Sequence, residues 1–167
     1  MGNTDENLQA AFARESQANR KYLFFADVAE EAGYKQVARL LRAAAEAETV
    51  HARNHLKVMG GIKSTSENVK VAVSGENYEC TEMYPGFIEK AKSDNNASAV
   101  RSFDLANKVE RIHLSLFQEA GKSLETSEPF GSLPYSVCQV CGNTIEGDPP
   151  EVCSICGSSR SKFNIVD

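Results

Sequence analysis

Two copies of the pattern Glu-x-x-His lie on helical stripes of the sequence that are otherwise apolar. The copies are Glu48 with His51 and Glu110 with His113. A spacing of three residues places both side chains of a pair on one face of a helix, so each pair would point into a helical core. An ionised carboxylate in such a core is unfavourable by several kcal/mol unless a partner neutralises it. A metal cation is the partner that carboxylates and imidazoles can bind together.

Further glutamates lie on the stripes of the neighbouring helices. Glu15 precedes Glu48 by 33 residues. In the same way Glu79 precedes Glu110 by 31 residues, and Glu82 follows Glu79 by three. One Glu-x-x-His pair alone is typical of a solvated helix face, but the repeated set is the ligand pattern of di-iron carboxylate bundles. Oxygen ligands with few imidazoles favour iron or manganese over softer metals. The sequence therefore predicts a two-metal site with the ligands Glu15, Glu48, His51, Glu79, Glu82, Glu110 and His113.

Four of the five cysteines lie near the end of the chain, as Cys138-x2-Cys141 and Cys153-x2-Cys156. Clustered pairs with one cysteine left over favour metal ligation in a reducing compartment over a disulfide framework. The pairs supply four thiolates to one tetrahedral ion, a set that a zinc ribbon and a one-iron rubredoxin-type centre both use. Zinc is the more frequent occupant, whereas iron would give a redox bundle the one-electron carrier that it needs.

Helical periodicity extends through most of the chain before the cysteines. It predicts four helices that end near Glu31, Met59, Lys92 and Lys122, the third of them beginning near Ser74 and interrupted by Pro85. Residues 61–73 form a long crossover between two short turns, which is the connectivity of a ferritin-like four-helix bundle. The short tail cannot bury enough surface to fold unaided and needs a metal staple. We expect an all-α bundle at 1–123, a linker at 124–134 and a small metal-stapled β domain at 135–167.

The charge balance of the 167 residues argues against nucleic acid and anionic membranes as partners. Basic residues number 18 against 23 acidic ones, for a net charge of −5. The first residues lack the basic and apolar segments of a signal peptide, and no stretch approaches the length of a membrane span. We expect a soluble, cytoplasmic protein.

Five segments together resemble the rubrerythrin family, over nearly the full length of the chain. They are ARESQANRKY, EAETVHARNH, ENYECTEMYPGF and KVERIHLSLF in the helices, and CQVCGNTIEGDPPEVCSICG in the tail. The resemblance implies a ferritin-like bundle with a non-haem di-iron site and a rubredoxin-like domain with one iron. It also implies a peroxide reductase of oxidative-stress defence, which reduces hydrogen peroxide to water with electrons passed through the tail iron. The implied ligands of that iron are Cys138, Cys141, Cys153 and Cys156.

The resemblance implies roles for single residues of the di-iron site. Glu79 and Glu110 match the positions of ligands that bridge the two irons. Glu82 and His51 match a glutamate and a histidine that one iron exchanges when it is reduced.

Two tyrosines and the quaternary structure complete what the resemblance implies. Tyr22 and Tyr84 match tyrosines beside the site, where a hydroxyl can orient a ligand or relay a proton. Family members form dimers in which the tail iron of one subunit lies near the di-iron site of the other. We therefore expect a homodimer, with domain swapping as one arrangement of it, and a separate rubredoxin or flavoprotein as electron donor.

Two other functions fit the same ligands. One is a ferroxidase that oxidises iron for storage, and the other is a non-enzymatic metal-binding protein with a structural zinc ribbon. Two positions depart from the family pattern, since Asn143 stands where an aromatic residue is common and Cys80 replaces a common tyrosine. The first change affects the shielding of the tail iron but not its ligation. We expect Cys80 to be a small packed residue.

Overall fold

The structure, a computed structural model, describes residues 3–126 and 130–167. Its helices are α1 (Thr4–Glu31), α2 (Lys35–Val58), α3 (Thr65–Tyr78), a π-helical turn (Glu79–Met83), α4 (Tyr84–Ser93), α5 (Ala97–Thr126) and a short 3-10 helix (Arg160–Lys162). The strands are β1 (Tyr135–Cys138), β2 (Thr144–Glu146) and β3 (Phe163–Val166). The chain forms two compact units, Met1–Lys63 and Ser64–Asp167. Among the described residues, none of the helices combines the length and the apolar character that crossing a bilayer requires.

The first unit is a helical hairpin of α1 and α2. The turn between the helices is tight because Gly33 takes the left-handed conformation, with a φ of +82°, that other residues rarely adopt. Small side chains let the helices approach closely, and Ala38 and Ala45 are almost completely buried. Asn19 on α1 donates hydrogen bonds to the Ala45 carbonyl at 2.7 Å and to Thr49 Oγ1 at 2.9 Å. These bonds fix the register of the two helices.

The second unit begins earlier than the sequence pattern predicts. The predicted crossover at 61–73 is wrong in its length, because α3 already begins at Thr65. Its start is set by a capping box, in which the Ser64 hydroxyl accepts from the Glu67 backbone N–H and the Glu67 carboxylate accepts from the Ser64 backbone N–H. Helices α3 and α4 both pack along α5, which gives this unit a helical hairpin of its own.

The predicted third helix is split by the π-helical turn just before Pro85. Proline has no backbone N–H and its ring clashes with the carbonyl four residues earlier, so the helix widens at this point. The Cys80 carbonyl in the turn accepts a hydrogen bond from Arg111 Nη2 on α5 at 3.3 Å. The Cys80 side chain is 2% exposed, which confirms the expectation that it packs in the core.

The tail is a three-stranded antiparallel sheet in the order β2-β1-β3. Before it, α5 runs to Thr126, past the predicted end of the bundle at residue 123. Residues 127–129 of the predicted linker lie outside the described residues. Between residues 130 and 167 no Val, Ile, Leu or Phe side chain is buried, whereas Cys138 and Cys153 are 1% and 2% exposed. The sheet therefore lacks an aliphatic core, and cysteines occupy its place.

Candidate metal centres

The first hairpin brings three of the predicted ligands together. Ligand atoms of Glu15, Glu48 and His51 lie within 4.8 Å of one another. His51 Nδ1 is 3.0 Å from Glu48 Oε2, one turn earlier on α2. The Glu-x-x-His pair thus presents one carboxylate oxygen and one imidazole nitrogen to a shared position, as a pair of metal ligands does.

The second unit repeats this geometry with one residue that the sequence pattern does not predict. Ligand atoms of Glu76, Glu110 and His113 lie within 4.8 Å of one another. His113 Nδ1 is 2.7 Å from Glu110 Oε2, again one turn apart. The signal that could have identified Glu76 is its spacing of three residues before Glu79, which equals the spacing from Glu79 to Glu82.

The π-helical turn decides which glutamates of its region face this second cluster. Glu79, at the start of the turn, is partly buried, and its pKa is raised by burial and then by the neighbouring charge of Glu110. Glu82, which the sequence predicts as a ligand beside it, is exposed. A π turn holds more residues than an α turn, so a spacing of three inside it no longer returns to the same face. The structure therefore turns Glu76 and Glu79 toward Glu110 and leaves Glu82 in solvent.

The second cluster brings carboxylates close together beside a largely apolar cavity. The pKa of Glu76 is raised to about 7, first by burial and next by the charge of Glu110 and a hydrogen bond with it, while His113 opposes the rise. A cavity of about 470 Å³, lined in large part by apolar side chains such as Leu116 and Phe117, adjoins Glu76 and His113. Carboxylates this close share either a proton or a cation. Two carboxylates and one imidazole are a donor set that fits a divalent iron ion.

We expect the metal-free protein to lose stability as the pH rises from about 5 to about 8. The pKa of Glu76 in the folded chain, about 7, lies above its ordinary value of 4.5. Its contribution to folding is therefore complete below pH 4.5 and is lost as the pH rises through 7. In thermal melting of metal-free protein, Glu76→Gln should reduce this loss. Glu82→Gln changes an exposed carboxylate, so its melting temperature should fall with pH as that of the wild type does. If the melting temperatures of all three proteins fell equally with pH, the prediction would be contradicted.

Of the two predicted tyrosines, Tyr84 lies at the second cluster. Its pKa is raised by burial and by the charges of the glutamates around it, so its phenol stays protonated at neutral pH. The rings of Phe87 and Phe103 pack against it, with centroid distances of 6.3 and 6.2 Å. Tyr22 is partly buried on α1, two turns after Glu15.

The tail brings all four of its predicted ligands into one cluster. The sulfur atoms of Cys138, Cys141, Cys153 and Cys156 lie within 4.8 Å of one another. The Sγ–Sγ distance is 3.7 Å both for Cys138 with Cys156 and for Cys141 with Cys153. A disulfide bond requires about 2.05 Å, whereas thiolates about 2.3 Å from a tetrahedral ion are about 3.8 Å apart. The geometry fits one tetrahedral metal ion.

Hydrogen-bond donors surround the first sulfur of each cysteine pair. Burial alone would raise the pKa of Cys153, but the backbone amides two and three residues later donate to its sulfur, and the pKa falls to about 6. The pKa of Cys138 is also lowered, against its burial, by the Ser158 hydroxyl at 3.2 Å and by the equivalent amides. Both sulfurs are thereby prepared to act as thiolates, the form that binds metal.

Asn143, which departs from the family pattern, contributes a further donor to this cluster. Its side chain is 1% exposed, and Nδ2 donates to Cys153 Sγ at 3.6 Å. Hydrogen bonds to the sulfurs are one of the factors that set the reduction potential of such iron centres. The substitution therefore exchanges the shielding of an aromatic ring for a polar contact with a ligand.

Comparison with known proteins gives matches along both parts of the chain. The family model for rubrerythrin matches residues 6–121, and the model for the rubredoxin-like domain of rubrerythrin matches residues 137–164. Rubrerythrin-2 of Clostridium acetobutylicum is 32% identical over 174 residues, covering 96% of this chain and 95% of its own length. Nigerythrin of Nitratidesulfovibrio vulgaris is 33% identical over 177 residues, covering 98% of this chain and 86% of its own length. The solved mixed-valent state of nigerythrin is 33% identical, covers 99% of this chain and 87% of its own, and superposes with a TM-score of 0.57.

The fold and the two kinds of cluster define a ferritin-like di-metal protein with a small rubredoxin-like domain, and the matches confirm this predicted fold class. The chain belongs to the rubrerythrin family. Rubrerythrins are oxidoreductases of oxidative-stress defence that bind a di-iron site and a rubredoxin-like iron. The predicted cofactors, two non-haem irons and one iron held by four cysteines, are thereby confirmed.

Proposed function

We propose that the protein reduces hydrogen peroxide to water with electrons that enter through the four-cysteine iron. Ferrous iron held by the glutamates and histidines of the clusters would supply the two electrons that break the O–O bond, and one peroxide molecule with two protons would give two water molecules. The observation that carries the proposal is the contact between the tail and the second cluster, where Thr144 on β2 is hydrogen-bonded to His113 on α5. A reductase needs electrons delivered to its metal site, which a carrier in contact with a di-iron ligand can provide. Oxidation of iron for storage needs no delivery of electrons.

Each of the two hairpins carries its own set of proposed iron ligands. They are Glu15, Glu48 and His51 in the first cluster, and Glu76, Glu110 and His113 in the second. Glu79 lies beside the second cluster. Glu82, to which the resemblance gives the exchange role, is exposed and is not among the proposed ligands. The bridging role of Glu79 and Glu110 stays a prediction.

The two histidines differ in a way that supports a ligand exchange at one of them. The His51 side chain is 56% exposed, against 28% for His113. The nitrogen of His113 that faces away from Glu110 is bonded to Thr144, which restrains the ring. His51 is therefore the imidazole that is freer to turn toward or away from a metal ion.

Tyr84 is the proposed source of protons at the second cluster. Its phenol keeps its proton at neutral pH, because burial and the surrounding glutamates raise its pKa. The carboxyls that surround it can pass a proton onward to the reacting oxygen. A corresponding role for Tyr22 at the first cluster stays a prediction.

The predicted homodimer is supported by the apolar surface of the first hairpin. Phe24, Val28 and Leu40 are 60%, 66% and 68% exposed. Large exposed apolar side chains of this kind mark an interaction surface, in a swapped or an unswapped dimer. The tail contacts the second cluster of its own chain, which differs from the approach to the other subunit that the resemblance implies. The rubredoxin or flavoprotein donor and the cytoplasmic location stay predictions.

Iron-loaded protein, purified without oxygen, tests the proposed function. In stopped-flow mixing, the reduced protein should be oxidised clearly faster by hydrogen peroxide than by an equal concentration of oxygen. The four-cysteine iron should give the red ferric–thiolate absorption, which zinc cannot give. A faster reaction with oxygen would instead indicate a ferroxidase, and a colourless tail that holds zinc would indicate a non-enzymatic metal-binding protein.

A further inference from the structure

The hydroxyl of Thr144 lies between the two kinds of metal cluster. Thr144 is the first residue of β2, and its Oγ1 is 2.9 Å from His113 Nε2 on α5. The same hydroxyl donates a hydrogen bond to the Gly142 carbonyl at 3.0 Å. Gly142 directly follows the ligand Cys141. It also lies against α5, because a methyl group added to it would be 3.7 Å from Val109 Cγ1. The ligand loop of the tail is thus packed onto the helix that carries His113.

The hydroxyl of Thr144 holds the His113 ring in an orientation that suits metal binding. Thr144 Oγ1 donates to the Gly142 carbonyl and lies 2.9 Å from His113 Nε2, while Nδ1 faces Glu110 Oε2 at 2.7 Å. When Nδ1 binds a metal ion beside Glu110, Nε2 carries the remaining ring hydrogen and donates it to Oγ1. Thr144 therefore orients His113 to bind a metal ion through Nδ1.

We infer that Thr144 is the positioning residue of the iron ligand His113 and connects that ligand to the iron-binding loop of the tail. The inference rests on the proposed function. Metal-ligating histidines donate their second N–H to a partner that holds the ring orientation and raises the basicity of the ligand. Here the partner belongs to the tail, so two hydrogen bonds join Cys141-Gly142 to His113 through Thr144.

This connection gives the electron from the tail a defined route. With iron bound by the four cysteines and by the bundle, electrons would pass from the tail one at a time, and no covalent bond would form or break. The route leaves the Cys141 sulfur, follows the backbone to the Gly142 carbonyl and crosses the Thr144 hydroxyl to the His113 ring. Loss of the hydroxyl removes both hydrogen bonds at once.

Thr144→Val and Thr144→Ser test the inference, because valine has the shape of threonine without the hydroxyl and serine keeps the hydroxyl. In zinc-loaded protein, the His113 Nε2–H proton should be protected from exchange in the wild type and in Thr144→Ser, and should exchange at least about tenfold faster in Thr144→Val. In reduced iron protein given one equivalent of peroxide, Thr144→Val should slow the oxidation of the four-cysteine iron by roughly tenfold to a hundredfold. Thr144→Ser should restore the wild-type rate.

The two readouts separate failure of the inference from failure of the proposed function. A Thr144→Val protein that matches the wild type in both measurements, or a Thr144→Ser protein that matches Thr144→Val, would overturn the inference. A wild type whose Nε2–H is protected but whose irons do not react with peroxide would leave the positioning role in place and refute the peroxide reductase. Equal ferric–thiolate absorption in the three proteins verifies that the tail is folded. If Thr144→Val lacks that absorption, Thr144→Ala provides the same test.

Discussion

Glu76→Gln is expected to reduce peroxide turnover by at least about a hundredfold and to lower the iron content of the bundle. Ligand atoms of Glu76, Glu110 and His113 meet within 4.8 Å, so the substitution replaces one of two clustered carboxylates by a neutral amide. Loss of a residue that merely orients a ligand already lowers metal affinity or activity by roughly tenfold to a hundredfold, and loss of a ligand should have the larger effect. Iron analysis and steady-state peroxide reduction measure the two effects.

Glu82→Gln is the matched control for this substitution. It makes the same chemical change two turns further along, on a side chain that the structure leaves exposed. It should keep the iron content and the turnover of the wild type. Melting of the metal-free proteins tests whether Glu76→Gln loses iron because it is unfolded. Above pH 7 the ionised Glu76 carboxylate is unfavourable in the folded chain, so its removal should not destabilise the metal-free protein. If Glu82→Gln lost iron and Glu76→Gln retained it, the result would contradict this prediction and support Glu82 as the ligand, as the sequence spacing predicts.

The parts of the site that follow from local periodicity could be predicted from the sequence. Each Glu-x-x-His pair lies on one uninterrupted α-helix, where a spacing of three keeps two side chains on one face. The structure accordingly places His51 Nδ1 3.0 Å from Glu48 Oε2 and His113 Nδ1 2.7 Å from Glu110 Oε2. The four-cysteine cluster was equally predictable, because both ligand pairs are local and the tail has no other core.

The parts that depend on a change of helical pitch or on contacts distant in sequence could not be predicted in this way. The ligand spacing fails at the π-helical turn, where the pattern continues but the face rotates, so Glu82 is exposed and Glu76 lies with Glu110 and His113. Pro85 indicated an interruption but not its type. The bond from His113 to Thr144 joins residues 31 apart in sequence on two different elements, and no spacing rule relates them.

Cys153→Ala is expected to unfold the tail and to stop steady-state turnover while leaving the bundle able to react with peroxide once. The tail has no buried Val, Ile, Leu or Phe between residues 130 and 167, so the thiolate–metal bonds take the place of a hydrophobic core. Binding of a structural metal ion to small domains of this type contributes about 10–16 kcal/mol, which is far more than such a short chain can lose and stay folded. Ferric–thiolate absorption and limited proteolysis measure the loss of the tail.

The comparison of single and repeated turnover then assigns the role of the tail. With Cys153→Ala, one equivalent of peroxide should still oxidise the prereduced bundle, but reduction by an added donor should no longer sustain further cycles. Cys80→Ala is the matched control, since Cys80 is as deeply buried, at 2% exposed, yet lies in the π-helical turn and not in the tail. This substitution should lower the free energy of unfolding by about 1 kcal/mol. It should keep the red colour and the repeated turnover. If Cys153→Ala continued to cycle at the wild-type rate, electrons would reach the bundle without the tail. The four cysteines would then serve only to fold it, and the contact of Thr144 with His113 would have no part in the supply of electrons.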